Sequence, residues 1–290
     1  MRSEKEMFEL LISTARNDER ILAAYLEGSR TVPQVPRDIF QDYDLVYVVT
    51  ETRPFIEEKE WINRFGQRLY MQYPDEGIWD NGNHENCYGW LMQFTDGNRL
   101  DLHVCTLAFV KEQLKKGEPY RILLDKTGCL PQPGENLEKV YWVKKPSQEE
   151  FLAVCNEFWW CLNNVAKGLW REELPYVMEQ LNFVIRPMLF NVLAWKAGKD
   201  HDFSASVGKG GKYLKNYLPE AIYESYMRTY PAGEKEAIQK SVFEMCSLFE
   251  TMAREVAQAL GFSYHEEEGR NSRAYLEHVC QLPKDAKEIY

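Results

Sequence analysis

Three aspartates and one glycine-serine pair are the residues of this chain whose types and spacing could do chemistry together. Asp42 and Asp44 stand one residue apart at the start of Asp42-Tyr43-Asp44-Leu45-Val46-Tyr47-Val48-Val49, a run rich in β-branched and aromatic residues that predicts an interior strand. Alternation along that strand points both carboxylates to one face. Two anions held so close repel unless a cation lies between them. Magnesium, which favours hard oxygen ligands and is completed by substrate phosphates, is the expected ion. Asp101, in Arg99-Leu100-Asp101-Leu102-His103, falls on another predicted strand, where an acid flanked by leucines is expensive to bury without a partner. Brought to the same site, it would serve an in-line displacement at phosphorus and take the proton of the acceptor hydroxyl, which is nucleotidyl transfer. Upstream, Gly28 permits positive φ and close backbone approach. Ser29 with its amide can donate to phosphate oxygens, and Arg30 can add a charged donor. Gly-Ser and D-x-D are each common. Their order, with thirteen positions from Ser29 to Asp42 and a third acid on a later hairpin, is far narrower.

Around these residues the chain supplies positioning elements. Residues 4–17 carry helical apolar spacing, and Ile21 to Leu26 reads as a short buried strand stopping at the Gly28-Ser29 turn. Pro33 and Pro36 exclude a long helix after it. Glu57 to Tyr73, with Trp61, Ile62, Phe65, Leu69 and Tyr70, reads as an amphipathic helix. Gly89 to Phe94 and Arg99 to Val104, joined through Thr95-Asp96-Gly97-Asn98, read as a β-hairpin. Beyond Lys144-Lys145-Pro146-Ser147 the texture is helical, with Ser147 as an N-cap and Glu149-Glu150 in the first turn. Helices are expected over Phe151–Trp170, Leu174–Ala197, Pro219–Tyr230 and Gly233–Leu260, with Gly208-Lys209-Gly210-Gly211 as punctuation. The expected architecture is α+β: a mixed-sheet domain over residues 1–145 and an all-helical domain over 146–290.

Composition narrows the partners. The apolar content of 44% and aromatic content of 13% describe a folded chain, and 290 residues allow two domains. A net charge of −10 argues against general nucleic-acid binding and suits a cationic substrate. Seven cysteines without a C-x-x-C pair fit reduced thiols rather than a disulfide framework or zinc site. The charged N-terminus and the absence of a long apolar run lead us to expect a cytoplasmic protein with no membrane partner.

At this point a resemblance is visible. Gly-Ser followed by D-x-D resembles the DNA polymerase β-like nucleotidyltransferase superfamily. Leu26-Glu27-Gly28-Ser29-Arg30-Thr31, Phe40-Gln41-Asp42-Tyr43-Asp44, Asp96-Gly97-Asn98-Arg99-Leu100-Asp101-Leu102 and Cys155-Asn156-Glu157-Phe158-Trp159 resemble the aminoglycoside 6-adenylyltransferases more narrowly. Val165-Ala166-Lys167-Gly168-Leu169, Ile185-Arg186-Pro187 and Gly208-Lys209 extend the likeness across nearly the whole chain. The resemblance implies transfer of AMP from ATP to the 6-hydroxyl of streptomycin with release of pyrophosphate. It also implies Asp42 and Asp44 as the metal pair, Asp101 as the third acid, and Gly28-Ser29-Arg30 as the nucleotide turn. Residues 146–290 would then close over substrate and nucleotide.

Other candidates are less specific. Lys167 could neutralise triphosphate charge or be a solvated helix lysine, and Lys209 and Lys212 could form a phosphate-reaching loop or a basic turn. Glu85, His84 and Trp90 could receive a guanidinium-bearing acceptor, against the plainer reading of a polar loop and a core tryptophan. His103 reads as a structural histidine, and His265-Glu266-Glu267-Glu268 as a solvated loop. Competing functions are a nucleotidyltransferase with a protein or RNA acceptor and a catalytically silent nucleotide-binding regulator. A monomer or weak homo-oligomer is expected.

Overall fold

The computed structural model describes residues 1–79 and 82–290, which form two compact units, Met1–Val140 and Tyr141–Tyr290. The fold is α+β. In the first unit a helix, α1 (Glu4–Asn17), opens on a capping box between Ser3 and Glu6. Six strands follow: β1 (Ile21–Glu27), β2 (Tyr43–Val49), β3 (Arg68–Gln72), β4 (Cys87–Phe94), β5 (Arg99–Thr106) and β6 (Arg121–Asp125). They form one mixed sheet in the order β3-β4-β5-β2-β1-β6, in which β2 and β5 run parallel and the other neighbours antiparallel.

The period-2 pattern divides the sheet into two faces. Leu26, Tyr43, Leu45, Tyr47, Trp90 and Leu102 point into a core shared with Met7 and Leu11 of α1, and Tyr47 Oη donates to the Leu11 carbonyl at 2.7 Å. Residues between them on the strands, among them Tyr25, Val46, Val48 and Cys105, face the other way. There they pack with Val110 of the helix α3 (Leu107–Leu114) and with Tyr120. The acids of interest alternate onto this second face.

One expectation fails in this unit. Residues 57–73 are not one helix: a short helix, α2 (Arg53–Glu57), leads to a 3₁₀ segment (Lys59–Phe65), and Gly66 at φ +124° releases the chain into β3. Trp61, Ile62 and Phe65 are buried, but Leu69 and Tyr70 are 62% and 70% exposed on an edge strand, so the apolar residues never shared one face. Helix α3 and strand β6 went unread because both are short and lack strong periodicity.

The second unit is helical. Its long helix α4 (Gln148–Arg171) begins at a Ser147/Glu150 capping box. It is followed by α5 (Leu174–Gln180), a π-helical turn (Leu181–Ile185), α6 (Arg186–Asp200), α7 (Glu220–Arg228), α8 (Lys235–Leu260) and α9 (Glu266–Gln281). Phe158 of α4 stacks on Phe249 of α8 with ring centroids 3.7 Å apart. Gly269 lets α9 approach α4, since a Cβ there would lie 2.9 Å from the Trp159 ring. The acidic run Glu266-Glu267-Glu268 is therefore the first turn of a helix rather than a loop. Carboxylates are stabilised there by the positive end of the helix dipole.

Candidate active site

Parallel pairing of β2 with β5 sets Asp44 opposite Asp101, and Asp42 lies just before β2 on the same face. One oxygen from each of the three carboxylates falls within 4.8 Å of the others. Such a donor set, all hard oxygen, suits a hard divalent cation such as magnesium, manganese or calcium. Burial pushes the Asp44 carboxyl up to about 7, aided by the charges of Asp42, Asp101 and Glu27.

The turn before the cluster is built for close approach. Gly28 has φ +68°, and a Cβ on it would sit 2.1 Å from Asp44 Oδ2, so any side chain would collide with the acid itself. Residues Gly28–Thr31 form one 3₁₀ turn in which Thr31 Oγ1 donates to the Gly28 carbonyl at 2.7 Å, and Gln41 Nε2 donates to Ser29 Oγ at 3.2 Å. Ser29 also lines a cavity of about 300 Å³ with Arg37, Gln41 and Arg121.

Arg30, expected as a phosphate donor, has its guanidinium engaged within the protein. Its Nε and Nη2 donate to the Asp42 and Gln41 carbonyls at 2.7 Å each, Nη1 pairs with Glu4 at 3.0 Å, and the guanidinium lies 3.8 Å from the Tyr43 ring centroid. With its side chain only 11% exposed, Arg30 staples the turn to the strand that bears the acids.

Two acceptor candidates are not brought to the cluster. Trp90 lies on the opposite face of the sheet, buried against Trp61 and Tyr88, because β4 alternation pairs it with Leu102 rather than with an acid. Glu85 is exposed in the turn before β4. In the antiparallel β4–β5 pair Leu91 is opposite Asp101, so Glu85 stands six residues away, roughly 20 Å along an extended chain. His84 bonds the Asp75 carbonyl at 2.6 Å. His103 is a structural residue: burial pushes its pKa down, and its ring lies where a Cβ on Gly89 would be. In the helical unit Lys167 is half-buried on α4. Lys209 and Lys212 are exposed beside Gly208 and Gly210, with the Lys212 ammonium 5.0 Å from the Tyr213 ring centroid.

Two neighbours of the cluster escaped sequence reasoning. Glu27 pairs across from Asp44 at the end of β1, and burial raises its pKa. Arg99 donates to both Asp101 oxygens, Nε to Oδ1 at 2.8 Å and Nη2 to Oδ2 at 2.6 Å. An Arg-x-Asp spacing on a strand was the available signal for the second; for Glu27 only the cross-strand register reveals it.

A mixed sheet that sets a Gly-Ser turn at one strand end beside D-x-D and a third acid from a parallel neighbour describes a nucleotidyltransferase. Comparison with known proteins agrees. The chain belongs to the streptomycin adenylyltransferase family, whose model matches residues 1–279. It is 35% identical over 265 residues to an aminoglycoside 6-adenylyltransferase of Bacillus subtilis, covering 91% of this chain and 93% of that one. A Campylobacter jejuni aminoglycoside 6-adenylyltransferase is likewise 35% identical over 265 residues, with 91% of each chain covered. A crystal structure of an aminoglycoside 6-adenyltransferase from Bacillus subtilis matches 97% of this chain and 100% of that one at 31% identity, with a TM-score of 0.48.

Proposed function

We propose that this enzyme transfers AMP from ATP to a hydroxyl of an aminoglycoside, with the 6-hydroxyl of streptomycin as the acceptor, and releases pyrophosphate. The observation that carries the reading is the convergence of Asp42, Asp44 and Asp101 within 4.8 Å beside a turn where a Cβ on Gly28 would meet Asp44, in a chain of this family. In the reaction the acceptor oxygen bonds to the α-phosphorus, the bond from that phosphorus to the bridging oxygen of the β-phosphate breaks, and the hydroxyl proton passes to Asp101. Asp42, Asp44 and Asp101 would hold magnesium, which supplies charge neutralisation for the phosphates when bound.

The chain's own residues do the rest. Gly28 and Ser29 present backbone and hydroxyl donors to the triphosphate. Arg30 positions this turn. Lys167, Lys209 and Lys212 are further nucleotide contacts in this reading, on the strength of the family resemblance. A net charge of −10 attracts a cationic drug and disfavours an RNA acceptor. No helix among the described residues is long and apolar enough to cross a membrane.

The test is pyrophosphate release from ATP and magnesium with streptomycin, beside other aminoglycosides and an acceptor-free control. Streptomycin-dependent release lost in both Asp42→Asn and Asp101→Asn is expected. ATP binding without release for any aminoglycoside would sink the reading and favour a different acceptor or a silent regulator.

A further inference from the structure

Both oxygens of Asp101 are already engaged. Arg99 grips them through Nε and Nη2, and the same Nε lies 3.8 Å from Asp42 Oδ2. The contact follows from the strand: residues 99 and 101 of β5 alternate onto one face, so the guanidinium folds back over the acid two positions on. The partners differ in freedom. The Asp101 side chain is 13% exposed and is fixed by the sheet, whereas that of Arg99 is 47% exposed at the end of a flexible arm. A fixed anion is thus covered by a cation that is free to leave.

We propose that Arg99 is the resident counter-cation of the acid cluster, holding Asp101 and Asp42 together until a divalent ion arrives and competing with that ion for their oxygens. The proposal rests on the reading of the three aspartates as a metal site. Three carboxylates within 4.8 Å repel one another, and one guanidinium offsets a single charge of the three. A divalent ion offsets two, and its approach is opposed by the like charge of Arg99 and by the hydrogen bonds that must break. Entry of the ion therefore displaces the guanidinium towards solvent. The same displacement would open the Asp101 oxygen not taken by the ion to the proton of an incoming hydroxyl, so the acceptor of the proton is freed only when the site is charged. Arg99 acts here as a positioning residue, through Asp101.

Direct titration with Mn²⁺ alone, followed by the electron paramagnetic resonance of the free ion, separates this role from simple structural support. Arg99→Gln should bind Mn²⁺ about tenfold more tightly than the unaltered enzyme, because a competing positive charge is gone. Arg99→Lys, which keeps the charge but loses the two-point grip, should fall between them. Thermal unfolding in chelator should show Arg99→Gln less stable than the unaltered enzyme, with a larger gain on adding Mn²⁺. Equal or weaker Mn²⁺ binding by Arg99→Gln overturns the counter-cation role. Asp42→Asn supplies the separate control: if it leaves Mn²⁺ affinity unchanged, the metal-site reading falls and takes this inference with it. If it weakens binding while Arg99→Gln does not strengthen it, only the inference falls.

Discussion

Asp18 and Asp44 stand at opposite ends of the same pair of strands: Ile21 faces Val49 near the first, and Glu27 faces Asp44 at the second. Asp18 has a side chain only 10% exposed, yet it accepts hydrogen bonds from Arg20 Nε and Nη2 at 2.8 and 2.6 Å and from Trp61 Nε1 at 3.1 Å. The Arg20 hydrogen bonds hold its carboxyl down to about 2. Asp44 is also withdrawn from water, but Asp42, Asp101 and Glu27 surround it, and its carboxyl rises to about 7. Burial raises Asp44 and opposes the lowering of Asp18, and what accompanies each acid differs: donors from Arg20 and Trp61 around Asp18, further acids around Asp44.

The contrast is broken most sharply by removing charge at each end. Asp44→Asn should lower streptomycin-dependent pyrophosphate release by about 10³-fold or more while leaving the fold intact. Asp18→Asn should leave turnover near that of the unaltered enzyme. A comparable loss of turnover at both positions would erase the distinction.

Gly28→Ala probes the acid end without changing its charge. The added methyl would fall on Asp44 Oδ2 and the backbone would be held at φ +68°, so Asp44 must shift. Displacement of a reacting group by about 1 Å costs on the order of 10²-fold in rate. Steady-state assays should show that loss chiefly in turnover.

Smaller effects are expected in stability. Asp18→Asn removes charge-assisted hydrogen bonds from Arg20 and should cost about 1–2 kcal/mol in denaturant unfolding at pH 7, limited by the solvent that still reaches Arg20.

The most discriminating effect is the sign of the pH dependence. The folded protein holds the Asp44 proton more tightly than the unfolded chain, whose ordinary value is 3.8. Metal-free stability from this group is therefore fullest below about 4 and declines as pH rises towards 7. Asp18 behaves oppositely. Its contribution is present above its ordinary 3.8 and is lost as pH falls towards about 2. Unfolding in chelator across pH 2 to 8 should show Asp44→Asn flattening the upper limb and Asp18→Asn the lower. Saturating magnesium should flatten the upper limb in the unaltered enzyme, and a slope indifferent to magnesium would count against a cation at Asp44.

Much of this organisation was written in local pattern. The helix over residues 4–17, the strands holding Ile21–Leu26 and Asp42–Val49, the 89–104 hairpin and the long helices after Ser147 all follow from periodicity, capping and turn residues. Those signals act over a few neighbours in the chain, so they survive without knowledge of the fold. The three aspartates were legible for the same reason, because residue type and strand alternation are both local.

What the tertiary structure decided is which of these local pieces meet. Parallel pairing of β2 with β5 set Asp44 opposite Asp101, and antiparallel pairing with β1 added Glu27. The register of β4 turned Trp90 into the core and carried Glu85 away from the acids. Arg30 became a staple through contacts with Glu4, Gln41 and Asp42, all distant from it in sequence. Such choices depend on sheet order and register, which are settled by the packing of the whole unit, and no window of the sequence contains them.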